Sequence, residues 1–302
     1  MKTLYLDLFS GISGDMFIGA LIDLGIDPKQ FEQELSKLEL EGYHLHFARG
    51  QKGSIAGVKF DVHLAHSHEH DNHDHSHARH SHGPAHSHSA HSHSHTHDDA
   101  RGFLQIQQLI AASRLSDWVK KKSVAVFQRI AVAEGKIHGV PSDQVHFHEV
   151  GAVDSIVDIV GASVALELLG RPRLLASPVV EGNGWIDCAH GRFPIPAPAT
   201  LAILGARGIA LSQCNEPHEL VTPTGAALLA EFVEQFAPMQ GLVAEKIGFG
   251  LGTRETKTRP NVLRVILGES VTPNSLHDWE TDTVAVLERL RRGGCRLPVL
   301  GE

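Results

Sequence analysis

Residues 3–25 have the sequence TLYLDLFSGISGDMFIGALIDLG, and this stretch decides the fold. Its first seven residues are an apolar run with a single aspartate, which predicts a buried strand. The next five combine serine and glycine, as tight turns do. The remainder has the apolar spacing of a helix, and Gly25 ends it. We therefore predict a strand, a tight turn and a helix at the start of the domain.

The segments that follow alternate between strand-like and helix-like patterns. Residues 43–49 and 55–64 alternate in polarity, which predicts a hairpin. Residues 152–169 have helical spacing, whereas residues 174–180 predict one buried strand and residues 182–198 a loop. This alternation predicts an α/β fold, with α+β as the alternative. We expect a mixed sheet with flanking helices.

Composition limits the classes of partner and compartment. The chain has 302 residues and a formal net charge of −8, which argues against a nucleic-acid or anionic-membrane partner because both require clustered cations. Its three cysteines form no CxxC pair, so a reducing compartment fits. No run of about 18 uncharged apolar residues occurs. These observations predict a cytoplasmic protein that binds neither nucleic acid nor membrane.

Histidine is the unusual residue, because 15 of the 23 histidines lie between His63 and His97. Residues 65–98 hold almost only histidine, serine, alanine and acidic residues, which cannot build a core and predict a disordered insertion. Imidazole suits nickel, copper and zinc, although the Irving–Williams order favours copper, so this tract alone does not name the metal. The predicted metal ligands in it are His66, His68, His70, His73, His75, His77, His80, His82, His86, His88, His91, His93, His95 and His97.

A second group of ligand types follows at residues 146–158. Alternation places His146 and His148 on one side of an extended segment, and Asp154 and Asp158 share one helical face because they lie four residues apart. With Glu149 they form a candidate metal site. The alternative is a pair of surface histidines followed by ordinary carboxylates at a helix start.

The first turn gives further candidates. Asp7 and Asp15 bracket it, and its glycines allow backbone amides to approach a phosphate or metal. Because no lysine follows these glycines, the turn is not a Walker sequence, and a purely structural turn is the alternative. We predict that Asp7, Asp15 and Glu149 are catalytic carboxylates. The cofactor-binding candidates in the turn are Ser10, Gly11, Ser13 and Gly14.

Three later segments give weaker signals. A threonine cap followed by proline predicts a helix start at residue 222, where Thr222, Thr224 and Gly225 offer groups to a phosphate. Arg254 follows a glycine-rich run, residues 248–252, which only superficially suggests a nucleotide loop. His190 lies two residues after a cysteine and is either a metal ligand or an incidental neighbour.

Together these segments resemble the LarC-type nickel-insertion proteins of nickel-pincer cofactor biosynthesis. The matching stretches are DLFSGISGDM (7–16), the histidine-rich insertion, HFHEVGAVDSIVD (146–158), GNGW (182–185) through HGRFPIPAPAT (190–200), TPTGA (222–226), GFGLGTR (248–254) and RPNVLR (259–264). The resemblance implies a lyase-class nickel chelatase or cyclometallase that inserts Ni(II) into pyridinium-3,5-bisthiocarboxylic acid mononucleotide. It also implies CTP with Mn(II) or Mg(II) as cofactors, and a lactate racemase-like enzyme as acceptor of the product.

The chain departs from the family pattern after Glu288. The family continues with an acidic segment and a further domain, whereas residues 289–302 look foreign. We expect a LarC-like domain over residues 1–270, interrupted by the insertion at 65–98, and a linker with a truncated or frameshifted tail at 271–302. A separate C-terminal half is then a possible partner. The alternatives are a nickel metallochaperone or store without a catalytic step, and an unrelated metal-dependent hydrolase.

Overall fold

A computed structural model describes residues 2–64, 101–147, 150–188 and 191–271. The predicted insertion at 65–98 and, apart from Val271, the predicted tail at 271–302 lie outside these residues. The domain boundaries and the disorder of the insertion therefore stay predictions.

The described residues contain both helices and strands. The strands are β1 (Lys2–Asp7), β2 (Tyr43–Lys52), β3 (Ile55–Leu64), β4 (Arg173–Ala176), β5 (Val179–Glu181), β6 (Trp185–Cys188), β7 (Gly191–Pro194), β8 (Leu211–Gln213), β9 (Val233–Phe236), β10 (Leu242–Leu251) and β11 (Val262–Ser270). The α-helices are α1 (Gly14–Leu24), α2 (Pro28–Leu35), α3 (Phe103–Ala112), α4 (Asp117–His138), α5 (Val153–Leu168), α6 (Pro198–Ala206) and α7 (Pro223–Phe232). No helix in these ranges is both long and apolar enough to span a membrane.

A mixed sheet organises the domain, in the order β2-β3-β10-β11-β1-β4-β9. The first strand, β1, pairs antiparallel with β11 and parallel with β4. Two small pairs, β5 with β8 and β6 with β7, lie outside this sheet. The α/β class and the mixed sheet with flanking helices are thus confirmed, as are the first strand, turn and helix.

The first helix lies directly on β10, and glycines make this contact possible. An ideal Cβ on Gly250 would lie 1.8 Å from the Met16 carbonyl oxygen, and one on Gly248 would lie 2.3 Å from that of Ala20. Side chains at these two positions would push α1 off the sheet. These glycines therefore belong to a strand packed under a helix, not to a phosphate-binding loop.

Helix α5 forms the next layer and is buried along almost its whole length. It packs against α1, α2, α4 and α7, and Gly161 allows the side chains of Ile18 and Phe31 to approach closely. A helix that is apolar on most sides belongs in a core. Its buried position fixes the direction in which its first turn points.

Two local predictions were wrong. The strand predicted at residues 174–180 is broken at Ser177-Pro178 into β4 and β5, which belong to different sheets, because proline has no N–H to donate to a ladder. The loop predicted at residues 182–198 contains the β6–β7 hairpin.

Candidate functional site

Three helices begin at the walls of one cleft, which has a volume of about 350 Å³. The lining includes the starts of α1, α5 and α7, and its residues there are Ser13, Gly14, Asp15, Asp154, Ser155, Thr222, Pro223 and Thr224. The first N–H groups of a helix have no partner within it, and the helix dipole adds partial positive charge at this end. Three such ends make the cleft suitable for an anion such as a phosphate.

Backbone hydrogen bonds hold the starts of α1 and α7 together. The Ile12 N–H donates to the Leu220 carbonyl oxygen at 2.9 Å, and the Thr222 N–H donates to the Ile12 carbonyl oxygen at 3.2 Å. A Cβ on Gly11 would lie 2.1 Å from the Leu220 oxygen, and one on Gly225 would lie 2.2 Å from the Ile12 oxygen. These two glycines, predicted as cofactor-binding, therefore have another backbone segment as their close neighbour.

A further glycine brings α5 to the start of α1. An ideal Cβ on Gly14 would lie 2.6 Å from a carboxylate oxygen of Asp158, so only glycine fits there. The Asp15 N–H donates to the Asp158 carboxylate. Desolvation, and then the negative charges of Asp15 and Asp154, raise the pKa of Asp158 well above its ordinary value. The cleft thus holds three neighbouring carboxylates.

Lys59 is the cation that faces these carboxylates. Its Nζ donates to Asp15 at 2.6 Å and to the Phe60 carbonyl oxygen at 3.0 Å, and it lies 2.9 Å from an Asp61 carboxylate oxygen. Desolvation lowers the pKa of Lys59, but the ion pairs with Asp15 and Asp61 outweigh it, so its pKa lies above the ordinary value. Lys59 and Asp61 were not among the residues that the sequence pattern singled out.

Buried carboxylates fix the loops of the opposite wall. Glu181 is fully buried and accepts hydrogen bonds from the N–H groups of Gly182, Leu220 and Val221 at 2.7, 2.6 and 3.2 Å. Burial raises its pKa to about 7, although these donors oppose the change. Glu216 is also fully buried, and it accepts hydrogen bonds from the loop at residues 257–258. These contacts hold the chain on either side of Glu219, which lines the cleft.

Other predicted residues lie around or away from the cleft. The Ser10 hydroxyl is buried and donates to the Pro260 carbonyl oxygen at 2.7 Å. Arg254 is exposed next to the lining residue Thr253, and it donates to the Glu219 carbonyl oxygen at 3.2 Å. The Thr222 hydroxyl caps α7 by accepting from the Gly225 N–H at 3.1 Å.

The structure does not bring Asp7 or His146 into this lining. The Asp7 carboxylate instead accepts two hydrogen bonds from Arg264, on the neighbouring antiparallel strand. His146 is exposed and pairs with Gly102 in an isolated bridge. Of the predicted carboxylates that the structure describes, Asp15, Asp154 and Asp158 line the cleft together, but their oxygens do not approach one another as closely as three ligands of one ion do. Their roles in binding and catalysis stay predictions.

Several predicted ligands lie outside the described residues. They are His148, Glu149, His190 and the tract histidines His66, His68, His70, His73, His75, His77, His80, His82, His86, His88, His91, His93, His95 and His97. Among the residues that the structure does describe, the cleft is lined by carboxylate and hydroxyl oxygens and by no imidazole. Carboxylate oxygens suit a hard cation and hydroxyl groups can donate to a phosphate, whereas imidazole suits nickel.

Comparison with known proteins gives a consistent picture. The family model described as nickel insertion protein matches residues 4–289. A Geobacillus kaustophilus protein named pyridinium-3,5-bisthiocarboxylic acid mononucleotide nickel insertion protein is 44% identical over 293 residues, which cover 95% of this chain and 66% of that protein. Proteins of the same name from Clostridium kluyveri and Lactiplantibacillus plantarum are 46% and 45% identical, over 89% of this chain and 62% of each.

The chain thus spans a little less than two thirds of the length of these relatives. No solved structure matches it. The family model covers nearly the whole chain and contains each of the three helix starts that line the cleft. The chain therefore belongs to the nickel insertion protein family.

Proposed function

We propose that the chain inserts Ni(II) into pyridinium-3,5-bisthiocarboxylic acid mononucleotide, as the names of its relatives say of those proteins. The observation that supports this most directly is the meeting of three helix starts at a cleft that also holds Asp15, Asp154 and Asp158. A mononucleotide carries a phosphate, and helix starts are suited to bind one. The product would serve as the nickel-pincer cofactor of a lactate racemase-like acceptor enzyme.

In this proposal, the backbone N–H groups, the carboxylates and Lys59 of the cleft have different roles. The N–H groups at the starts of α1 and α7, other than those of Asp15 and Gly225, which donate to Asp158 and Thr222, bind and orient the phosphate, while the carboxylates hold a hard cation or a water molecule. Lys59 offsets part of the negative charge on Asp15, so that an anionic substrate meets less repulsion. Insertion forms nickel–sulfur bonds as the thiocarboxylic acid groups lose their protons, and a nickel–carbon bond as one ring C–H bond breaks and its proton is released to solvent. Nickel stays Ni(II), and we propose that the reaction is a lyase-class cyclometallation.

The proposal includes CTP with Mn(II) or Mg(II), which the family resemblance implies. The carboxylate oxygens of Asp15 and Asp158 suit a hard divalent ion of this kind. Such an ion would supply charge neutralisation for nucleotide phosphates. We place the reaction in the cytoplasm, where three dispersed cysteines stay reduced. The proposal also includes a separate C-terminal half as a partner, which the family resemblance implies.

Mass spectrometry of the small molecule tests this function. The protein is incubated with the bisthiocarboxylate mononucleotide, nickel, CTP and manganese, with and without a supplied C-terminal half. We expect a nickelated product from the wild type and little from Asp154→Asn with Asp158→Asn. The matched control is Asp143→Asn, an exposed aspartate outside the cleft. If product is absent with and without the C-terminal half, the proposal is wrong.

A nickel store or metallochaperone without a catalytic step is the second candidate. The 15 histidines between His63 and His97 favour it, because they offer many overlapping imidazole ligands. Deletion of residues 66–97 separates the two functions. An insertion protein supplied with excess nickel should keep forming product, whereas a store should lose nearly all of its bound nickel and show no product before or after the deletion.

A further inference from the structure

A cluster of His44, His46, Asp61 and His63 lies on the two-stranded ribbon formed by β2 and β3. The antiparallel register places His46 opposite Asp61 and His44 opposite His63. The ring centroid of His63 lies 5.2 Å from that of His44 and 5.4 Å from that of His46. His46 and His63 are exposed and Asp61 is half-buried, so solvent reaches the cluster.

The geometry of three of these side chains fits a single cation. One ligand atom from each of His46, Asp61 and His63 lies within 4.8 Å of the other two. Two ligands bound to one transition-metal ion at about 2.1 Å are at most about 4.2 Å apart, so small rotations about the side-chain bonds close the site. Within the described ranges, this is the one group of three or more such residues that meets this distance.

The chemistry of the donors selects the class of ion. Two imidazoles with one carboxylate suit borderline divalent ions such as nickel, zinc and copper. The described lining of the cleft, by contrast, offers carboxylate and hydroxyl oxygens but no imidazole. The cluster therefore supplies the imidazole ligands that the described part of the cleft does not.

The cluster and the cleft share one residue. Asp61 belongs to the cluster and also lines the cleft. Its carboxylate lies 2.9 Å from Lys59 Nζ, which donates to Asp15 at 2.6 Å. In the sequence, His63 precedes the start of the histidine-rich insertion by only two residues. The cluster is therefore next to the insertion in the sequence, and it shares Asp61 with the cleft that contains the carboxylates.

We propose that His46, Asp61 and His63 bind a divalent transition-metal ion, and that Ni(II) bound there is passed to the cleft. His44 supports the site by packing against the His63 ring. The binding of an ion stands on the cluster alone, whereas its transfer to the cleft rests on the proposed function. An ion bound to Asp61 also competes with Lys59 for that carboxylate, so occupancy of the cluster changes the charge that Lys59 presents to Asp15.

Thermal unfolding of the full chain with and without nickel tests the binding site. An ion that binds only the folded ribbon raises the melting temperature. Histidines of the insertion that bind the ion equally well in the folded and the unfolded protein contribute little to this rise. We expect a rise of about 5 °C at nickel concentrations far above the dissociation constant. The double variant His46→Asn with His63→Asn should lose most of this rise. The control His138→Asn removes an exposed histidine at the end of α4 and should keep it.

Anomalous diffraction gives a direct second measurement. Crystals of the full chain soaked in nickel should show an anomalous peak between His46, Asp61 and His63. A double variant that keeps the full nickel-dependent rise, or a soaked crystal with no peak between these residues, would overturn the binding site.

The insertion assay tests the transfer role separately. At limiting nickel, the double variant should form product about tenfold more slowly than the wild type, because a local ligand raises the concentration of the ion beside the cleft. Excess nickel should restore its rate. Equal rates at limiting nickel would overturn the transfer role. Failure of the proposed function gives a different result, since the wild type would then form no product at any nickel concentration while the melting temperature still rose.

Discussion

Replacing Gly250 by alanine tests how α1 is held on the sheet. The new Cβ would lie 1.8 Å from the Met16 carbonyl oxygen and 2.7 Å from the Ala20 nitrogen, whereas real Cβ atoms rarely come within 3.0 Å of such atoms. Relief requires α1 to move away from β10 by about 1.2 Å, the difference between 3.0 and 1.8 Å. A gap of this size forfeits much of the dispersion energy of the contact.

We expect this substitution to lower the free energy of unfolding by about 3 kcal/mol, which is the upper end of the cost of overpacking a core. Urea denaturation followed by circular dichroism measures it. The matched control is Gly205→Ala, because Gly205 lies in α6 with nothing within 4 Å of an added Cβ. The control should raise stability by up to about 1 kcal/mol, as alanine does within helices.

A Gly250→Ala protein as stable as the wild type would refute the reasoning. It would mean that the contact between α1 and β10 tolerates a side chain, so that the glycines have some other role. A similar loss in the Gly205→Ala control would also refute it, since the effect would then not depend on the space around the glycine.

Three further predictions concern the charges in and around the cleft. Lys59→Met should lower the free energy of unfolding at pH 7 by about 1–3 kcal/mol, discounted for partial exposure; urea denaturation measures it, and an unchanged free energy would contradict the prediction. Asp158→Asn should raise thermal stability by about 1 kcal/mol while abolishing nickel insertion, because it removes a carboxylate whose pKa is raised by burial and by neighbouring negative charge; unchanged or lower stability would contradict this. The pKa of Glu181 is raised from 4.5 to about 7, so the folded protein binds the proton of the Glu181 carboxyl more tightly than the unfolded chain does. This protonation stabilises the fold fully below pH 4.5, and the stabilisation is lost as the pH rises through 7. The stability of the wild type minus that of Glu181→Gln should therefore fall by about 3 kcal/mol over this range, and a flat difference would show that the three N–H donors keep Glu181 ionised.

Local signals were sufficient for much of the fold. The first strand, turn and helix were predicted within a residue or two, because a serine and glycine turn and a terminal glycine mark their ends. The start of α7 was predicted from Thr222 and the proline after it, and the threonine hydroxyl does cap the helix. The order of strands was not predicted, because β1 pairs with β11 and β4, which lie far away in the sequence and carry no local mark of that pairing.

The candidate site was predicted only in part, because local spacing does not show which residues meet through tertiary contacts. Asp154 and Asp158 share a helical face, which their spacing shows, but their approach to Asp15 depends on the tertiary contact at Gly14. Asp7 was predicted near Asp15, whereas its partner is Arg264 on a strand from the far end of the domain. Lys59 and Asp61 were missed because their importance depends on how the hairpin packs.

The histidine cluster had a detectable signal that was not used. Residues 43–49 and 55–64 were predicted to form a hairpin, and in the structure Gly53 and Ser54 form its two-residue turn, which sets the register. That register places His46 opposite Asp61 and His44 opposite His63. Had the turn been placed at Gly53 and Ser54, a search for ligand types at paired positions would have found this cluster from the sequence.

The three helix starts at the cleft also bear on when during synthesis the protein becomes competent. They begin at residues 14, 153 and 223, so the pocket is assembled from the first, middle and late parts of the chain. A ribosome-bound nascent chain that has emerged only as far as α6 lacks the third wall. On the proposed function, the substrate can bind only after residue 223 has been translated, and a bound mononucleotide would contact regions of the chain that are synthesised at widely separated times.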